Sequence, residues 1–284
     1  MDEAWTILKV LKWTQGRFSE RGIETPRLDA EVLLAHVLKY DRVALYTHFD
    51  QPLQADELTR YRELIKRRLQ SEPVAYLVGK KEFRSLELHV DARVLVPRPE
   101  TETLVELALT LLADGPSHRI VDVATGSGAI ALALKSARPA STIFATDLSP
   151  DAAEVARANA TRLSLPVDIR VGDLLAPVAA EAPFDLITAN LPYIPTGDLP
   201  SLPPDVRREP RLALDGGPDG LSQVRRLITM AFPLLAPGGS LLLELAADQP
   251  PAVAPLLTSA GFLSPTTTKD LAGHPRILSA QKPA

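Results

Sequence analysis

Past Pro97 the sequence alternates between short apolar runs and stretches of helical periodicity, and few architectures accommodate that rhythm. Helical spacing covers residues 104–112, 129–137, 151–163, 221–235 and 249–259. Strand-like runs cover 119–123, 142–146, 167–171, 184–189, 240–245, 262–266 and 275–279. Strands separated by helices pack as a parallel sheet covered on both faces, because each crossover must travel back along the sheet. The last two runs follow one another directly, which predicts an antiparallel hairpin at the sheet edge. The expected fold class is α/β, a Rossmann-like, doubly wound sheet of seven strands.

The front of the chain reads differently. Trp5, Leu8 and Leu11 recur at helical spacing; Thr25-Pro26 forms an N-cap followed by a first-turn proline ahead of Leu28, Val32, Ala35 and Leu38; and Leu58, Tyr61, Ile65 and Leu69 share a third stripe. These stripes predict a small helical bundle with their aromatics in its core. Residues 82–90 then alternate polar and apolar, as a strand or hairpin arm does. At 284 residues the chain exceeds one ordinary core. The expected division is a helical domain at 1–75, a hairpin linker at 76–97 and an α/β domain at 98–284.

Charge and composition narrow the function classes. Residues 1–96 carry 16 basic and 15 acidic side chains and the remainder 15 and 20, so the halves differ in sign. Between Arg60 and Arg84 eight basic residues face three acidic ones, for which a solvated helix face is a simpler reading than an RNA or acidic-protein contact. A whole-chain pI of about 5.8 argues against bulk nucleic-acid affinity. The absence of cysteine excludes disulfides, thiolate zinc sites and cysteine nucleophiles. No apolar run approaches the roughly 18 residues that span a bilayer. Met1 to Trp5 includes Asp2 and Glu3 and lacks the apolar core of a signal peptide, so a cytoplasmic location is expected.

In a doubly wound sheet, ligands bind beyond the carboxyl ends of the strands. The first strand ends at Asp122-Val123 and runs into Ala124-Thr125-Gly126-Ser127-Gly128, where glycines allow close backbone approach at a helix start. Packing alone also asks for glycine in such a turn. Asp147 ends the second strand, twenty-one positions after Gly126, where an acidic residue chelates a ribose diol. A dinucleotide fingerprint would need glycine where Ala131 stands, so a nucleoside without pyrophosphate fits better. The third strand leads into Asp173-Leu174, a carboxylate for an adenine amino group and an apolar side chain for its face, although a surface turn looks similar. A nucleophile elbow at Ser127 would need glycine at Thr125 and Ala129, and five scattered histidines show no metal spacing.

After the fourth strand come Asn190-Leu191-Pro192-Tyr193, and seven of the 26 prolines lie between 192 and 218. This trio of an amide, a proline-fixed turn and a ring suits attack by a planar amino nitrogen. Its lone pair is delocalised and its two N–H bonds need acceptors, which Asn190 Oδ1 and a turn carbonyl provide, with Tyr193 stacking on the planar group. A sulfonium already carries a good leaving group, so no metal is required.

Together, Asp122…Gly126-Ser127-Gly128, Asp147 and Asn190-Leu191-Pro192-Tyr193 resemble the class I S-adenosylmethionine-dependent amino-methyltransferases. Val96-Pro97-Arg98-Pro99-Glu100-Thr101-Glu102, with Pro73 to Gly79 before it and Glu209-Pro210…Gly216-Gly217…Asp219-Gly220-Leu221 after it, looks like the HemK/PrmC family. That family methylates the glutamine of the Gly-Gly-Gln motif in class I peptide-chain release factors. The resemblance implies a class I methyltransferase sheet behind an N-terminal helical bundle that docks the factor, with S-adenosylmethionine consumed to S-adenosylhomocysteine. It implies that Ala124, Thr125, Gly126, Ser127 and Gly128 wrap the methionine and ribose, Asp147 takes the ribose hydroxyls, and Asp173 and Leu174 border the adenine. Asn190, Leu191, Pro192 and Tyr193 would hold the glutamine amide, Asn190 also bordering the cofactor. The expected enzyme is a monomer whose partner is the release factor, without membrane or direct nucleic-acid contact. The family usually has glycine at position 124 and proline at 191. Asn-Leu-Pro-Tyr is typical of rRNA adenine methyltransferases, the enzymatic alternative; a non-catalytic ribosome- or factor-binding adapter is the other.

Overall fold

The computed structural model of the chain describes residues 5–112 and 117–284. Met1 to Ala4, part of the segment read against a signal peptide, lie outside the described residues. The chain falls into two units, Met1–Gly79 with Pro204–Arg208, and Lys80–Pro203 with Glu209–Ala284.

The smaller unit is helical, with α1 (Ile7–Glu20), α2 (Pro26–Leu38), α3 (Arg42–Thr47), α4 (Ala55–Leu69) and α5 (Val74–Val78). Thr6 caps α1 by accepting from Lys9 N, and Pro26 opens α2. The core gathers Ile7, Val10, Phe18, Leu33, Leu34, Tyr61 and Ile65, and the Tyr61 hydroxyl donates to Ala30 O at 3.0 Å. The buried stripe of α1 differs from the Trp5, Leu8 and Leu11 stripe that the spacing predicts. Trp5 and Leu8 are 41% and 39% exposed, because the helix buries Ile7, Val10, Thr14 and Phe18 instead, while Trp5 packs edge-to-face on Trp13 at the surface. Leu28 of the α2 stripe is likewise exposed. In the basic segment, Arg60 pairs with Asp56, Lys66 with Glu63 and Arg67 with Glu72, and Arg68 is buried against Asp29 at 2.7 Å. Local ion pairs thus offset much of the charge that the sequence concentrates there.

The larger unit starts with the hairpin β1 (Lys80–Phe83) and β2 (Leu86–His89), followed by α6 (Glu100–Leu111). Then come β3 (Arg119–Val123), α7 (Ala129–Ala137), β4 (Thr142–Asp147), α8 (Pro150–Leu163), β5 (Asp168–Val171) and β6 (Phe184–Asn190). An irregular, proline-rich stretch leads to α9 (Ser222–Leu234), β7 (Leu235–Glu244), α10 (Pro250–Ser259), β8 (Leu263–Lys269) and β9 (Pro275–Gln281). The seven-stranded sheet has the order β5-β4-β3-β6-β7-β9-β8, parallel from β5 to β7 and antiparallel through β9 and β8. This is the α/β sheet and edge hairpin that the alternation predicts. Ile120, Val121, Leu186, Ile187, Leu241 and Leu242 are fully buried, as strands covered on both faces require. The chain leaves β3 towards β4 and β5, then returns to β6 on the other side. A crevice therefore opens at the carboxyl ends of β3 and β6. Among the described residues no helix is long and apolar enough to cross a membrane.

Candidate functional site

The carboxyl ends of β3, β4 and β6 and the turn after β5 line one cavity. From β3, Asp122 is fully buried and accepts from Thr125 Oγ1 at 2.6 Å and from Thr188 Oγ1 at 2.9 Å. Burial pushes its carboxyl up to about 7 against the pull of those hydroxyl donors. Asp122 thereby pins the loop Ala124–Gly128 to the sheet, and Thr125 N adds a bond to Thr146 O at 3.0 Å. Ala124, Gly126 and Gly128 take positive φ values of 57°, 55° and 86°. Alanine at such a φ costs roughly 1–2 kcal/mol relative to an ordinary conformation. The Asp122 and Thr146 anchors hold the loop there nonetheless.

Asp147, at the end of β4, is 9% exposed. Its Oδ2 accepts from Gly126 N at 2.8 Å and its Oδ1 from Ser149 N at 2.9 Å. Burial raises its pKa, and the two backbone donors partly offset that. Each oxygen retains a further lone pair for a ligand hydroxyl. Leu174 lines the cavity with a buried side chain at φ 48°. Asp173 also lines it, but its Oδ2 pairs with the Arg226 guanidinium, so the carboxylate comes to the cavity with a cation already attached.

At the opposite end stands Asn190, the last residue of β6. Its Nδ2 donates to Thr101 Oγ1 of α6 at 3.2 Å, and its Oδ1 has no donor among the described residues. Leu191 and Pro192 continue the lining. The lining stops before Tyr193, which is half-buried near Arg98, Glu100, Glu244 and Arg276, and whose hydroxyl has its pKa raised chiefly by desolvation. The Tyr193 carbonyl accepts from Gln249 Nε2 at 2.9 Å. Behind this turn pass Gly216 and Gly220, whose backbone touches the Pro192 and Tyr193 carbonyls where a Cβ would not fit.

The structure thus brings Ala124 to Ser127, Asp147, Asp173, Leu174 and Asn190 to Pro192 around one cavity; Gly128, where a Cβ would meet Leu132 and Ala156, lies outside the lining, and Tyr193 adjoins it. Sequence reasoning gave no individual role to Thr101, Arg98 or Glu209. The Glu209 carboxylate is 5% exposed and accepts from Val96 N at 2.9 Å and from the Arg98 guanidinium. It ties two cavity-lining segments, Val94–Arg98 and Pro210–Ala213, to each other. The signal was present in the Pro-Arg-Pro-Glu-Thr-Glu and Glu-Pro motifs, but their pairing spans 111 residues.

Residues 9–79 match the family described as the PrmC N-terminal domain, and residues 120–208 that described as a methyltransferase domain. The release factor glutamine methyltransferase of Rhodopirellula baltica is 41% identical over 293 residues, covering 99% of this chain and 98% of that protein. The chain belongs to the release factor glutamine methyltransferase family. The family member of Geobacter sulfurreducens is likewise 41% identical, over 280 residues and 98% of each chain. A T. thermophilus 16S rRNA N2 G1207 methyltransferase, solved in complex with AdoMet and guanosine, shares the fold at 22% identity and a TM-score of 0.53, covering 72% of this chain and 49% of that one. Leu191 is 3% exposed and joins the core beside β6, so its side chain faces the protein interior.

Proposed function

We propose that the protein transfers a methyl group from S-adenosylmethionine to the side-chain amide nitrogen of the glutamine in the Gly-Gly-Gln motif of class I peptide-chain release factors. The observation that carries this reading is Asn190, whose Nδ2 is committed to Thr101 while Oδ1 stays open at the end of the cavity. An amide nitrogen has two hydrogens to place, and a second acceptor is the backbone carbonyl at Leu191, which any residue type supplies. With both hydrogens accepted, the nitrogen is drawn out of conjugation and its lone pair becomes available.

The cavity fits the cofactor by its donor set. Asp147 offers free lone pairs to a ribose diol, the positive-φ loop Ala124–Gly128 exposes backbone at a helix start, and Leu174 offers an apolar face. Bound there, S-adenosylmethionine would supply a sulfonium-activated methyl group and leave as neutral S-adenosylhomocysteine. The chain's own part is to hold the amide in line and let the spare proton leave the nitrogen to solvent. The helical unit, whose residues 9–79 match the PrmC N-terminal domain, would dock the factor.

The test incubates the protein and methyl-labelled S-adenosylmethionine with a class I release factor and, in parallel, with naked rRNA. Label is expected in the factor; label in the RNA alone would favour the adenine-methylating alternative and sink this reading. Asp147→Ala is expected to weaken S-adenosylmethionine binding by about 1.5–3 kcal/mol, on the order of 10- to 100-fold, since bonds to a charged acceptor are lost. Calorimetry measures this directly, and an unchanged Kd would remove Asp147 from the cofactor site.

A further inference from the structure

β6 and β7 end side by side, and their register sets Asn190 beside Glu244. Glu244 is 3% exposed, and its Oε2 has no hydrogen-bond partner among the described residues. Such a group is unusual in a folded protein, where nearly all buried polar atoms are satisfied. Facing it are Glu100 and Thr101 from α6, Asn190 from β6, Tyr193 from the following turn and Arg276 from β9. Thr101 and Asn190 draw the Glu244 carboxyl down, but burial outweighs them and sets it at about 7.

The hydrogen bonds in this corner have a direction. Thr101 Oγ1 accepts from Asn190 Nδ2, so the threonine has its single hydrogen left to give, and Glu244 is the neighbouring anionic acceptor. We propose that Thr101 and Glu244 are positioning residues for methyl transfer: Glu244 turns the Thr101 hydroxyl so that it accepts from Asn190 Nδ2, and this keeps Asn190 Oδ1 facing the substrate nitrogen. The inference rests on the role given to Asn190 above.

Without the Thr101 acceptor, and the Glu244 carboxylate that also draws on the Asn190 amide N–H, the Asn190 amide would rotate between two orientations of nearly equal shape. One of them sets its N–H groups against those of the substrate amide, donor against donor. The charge on Glu244 matters in the same way. As a carboxylate it accepts the threonine hydrogen; once protonated it carries a donor of its own, which competes for the Thr101 lone pairs. The Tyr193 hydroxyl, its pKa raised chiefly by burial, stays neutral across this range. Turnover should therefore fall as pH drops through about 7.

The experiment compares the full-length wild type with Thr101→Val, Thr101→Ser, Glu244→Gln and Asn190→Ala, using S-adenosylmethionine and a class I release factor. Thr101→Val, which keeps the shape and removes the acceptor, should lower kcat on the order of 10-fold while the Kd for S-adenosylmethionine stays within about twofold. Thr101→Ser should restore turnover. Glu244→Gln should flatten the acid limb of the kcat profile seen in the wild type. Wild-type kcat in Thr101→Val alongside an inactive Asn190→Ala overturns this inference and leaves the proposed function standing. An active Asn190→Ala instead overturns the function assigned to that residue. Equal losses in Thr101→Val and Thr101→Ser, with the cofactor Kd rising in step, would reduce Thr101 to a packing residue and also overturn the inference.

Discussion

Asn190→Ala is expected to lower kcat for release-factor methylation by roughly 10²–10³-fold, the range seen when one preorganised dipole is removed from a reacting centre. The size of the effect follows from what alanine leaves behind. Asn190 ends β6 with its side chain at the cavity wall, so truncation opens space without disturbing the strand, whose neighbours β3 and β7 are paired through the backbone. The substrate amide would lose one of two acceptors and stay conjugated, with its lone pair delocalised. The Kd for S-adenosylmethionine should change little, because the loop Ala124–Gly128 and Asp147 are anchored independently, through Asp122 and through Gly126 and Ser149. A split of this kind, with kcat lost and cofactor affinity kept, is measured by steady-state kinetics paired with calorimetry. Retained turnover would show that the target nitrogen is held elsewhere.

The sheet was legible in the sequence for a physical reason. Parallel strands buried on both faces are written as apolar runs such as Ile120-Val121 and Leu241-Leu242-Leu243, and the crossover helices between them have their own period. From the strand order the cavity follows, and with it the position of Asp147 and Asn190. Helix α1 was less legible because its apolar residues support two stripes. Trp5 and Leu8 read as well as Ile7 and Val10, and only packing against α2 and its neighbours decides which side is buried. Partners distant in sequence were not legible at all. Nothing in Asp173 announces Arg226, 53 residues on, and nothing in Glu244 announces that the β6–β7 register will set it beside Asn190. A motif records which residues are needed at one strand end. The contacts among strand ends are a property of the sheet order.

The proline-rich stretch after β6 sets the second large effect, expected for Gly220→Ala: a fall in kcat/KM on the order of 100-fold or more. Gly220 sits at φ +76°, where an L-residue is strained by roughly 1–2 kcal/mol. Strain alone would be tolerable, as Ala124 at φ 57° shows. The decisive contact is steric. A Cβ on Gly220 would lie 2.2 Å from the Tyr193 carbonyl oxygen and 2.8 Å from Gln249 Nε2, the very pair that hydrogen-bond to each other. Backbone cannot swing aside as a side chain does, so the Pro192–Tyr193 turn must move. It is held on its other flank by Ile194 N to Leu214 O at 3.0 Å and by Gly216 N to Ile194 O at 2.8 Å, which passes the displacement into the same turn. A shift of about 1 Å in a positioned acceptor is enough to cost about 10²-fold in rate. Gly197→Ala is the control from the same stretch, because its Cβ would meet nothing within 4 Å and its φ lies outside the left-handed region. That variant should turn over as the wild type does, while Gly220→Ala should bind S-adenosylmethionine within a few-fold and fail at transfer. Full activity in Gly220→Ala would mean that the turn after Asn190 takes no part in fixing the acceptor geometry.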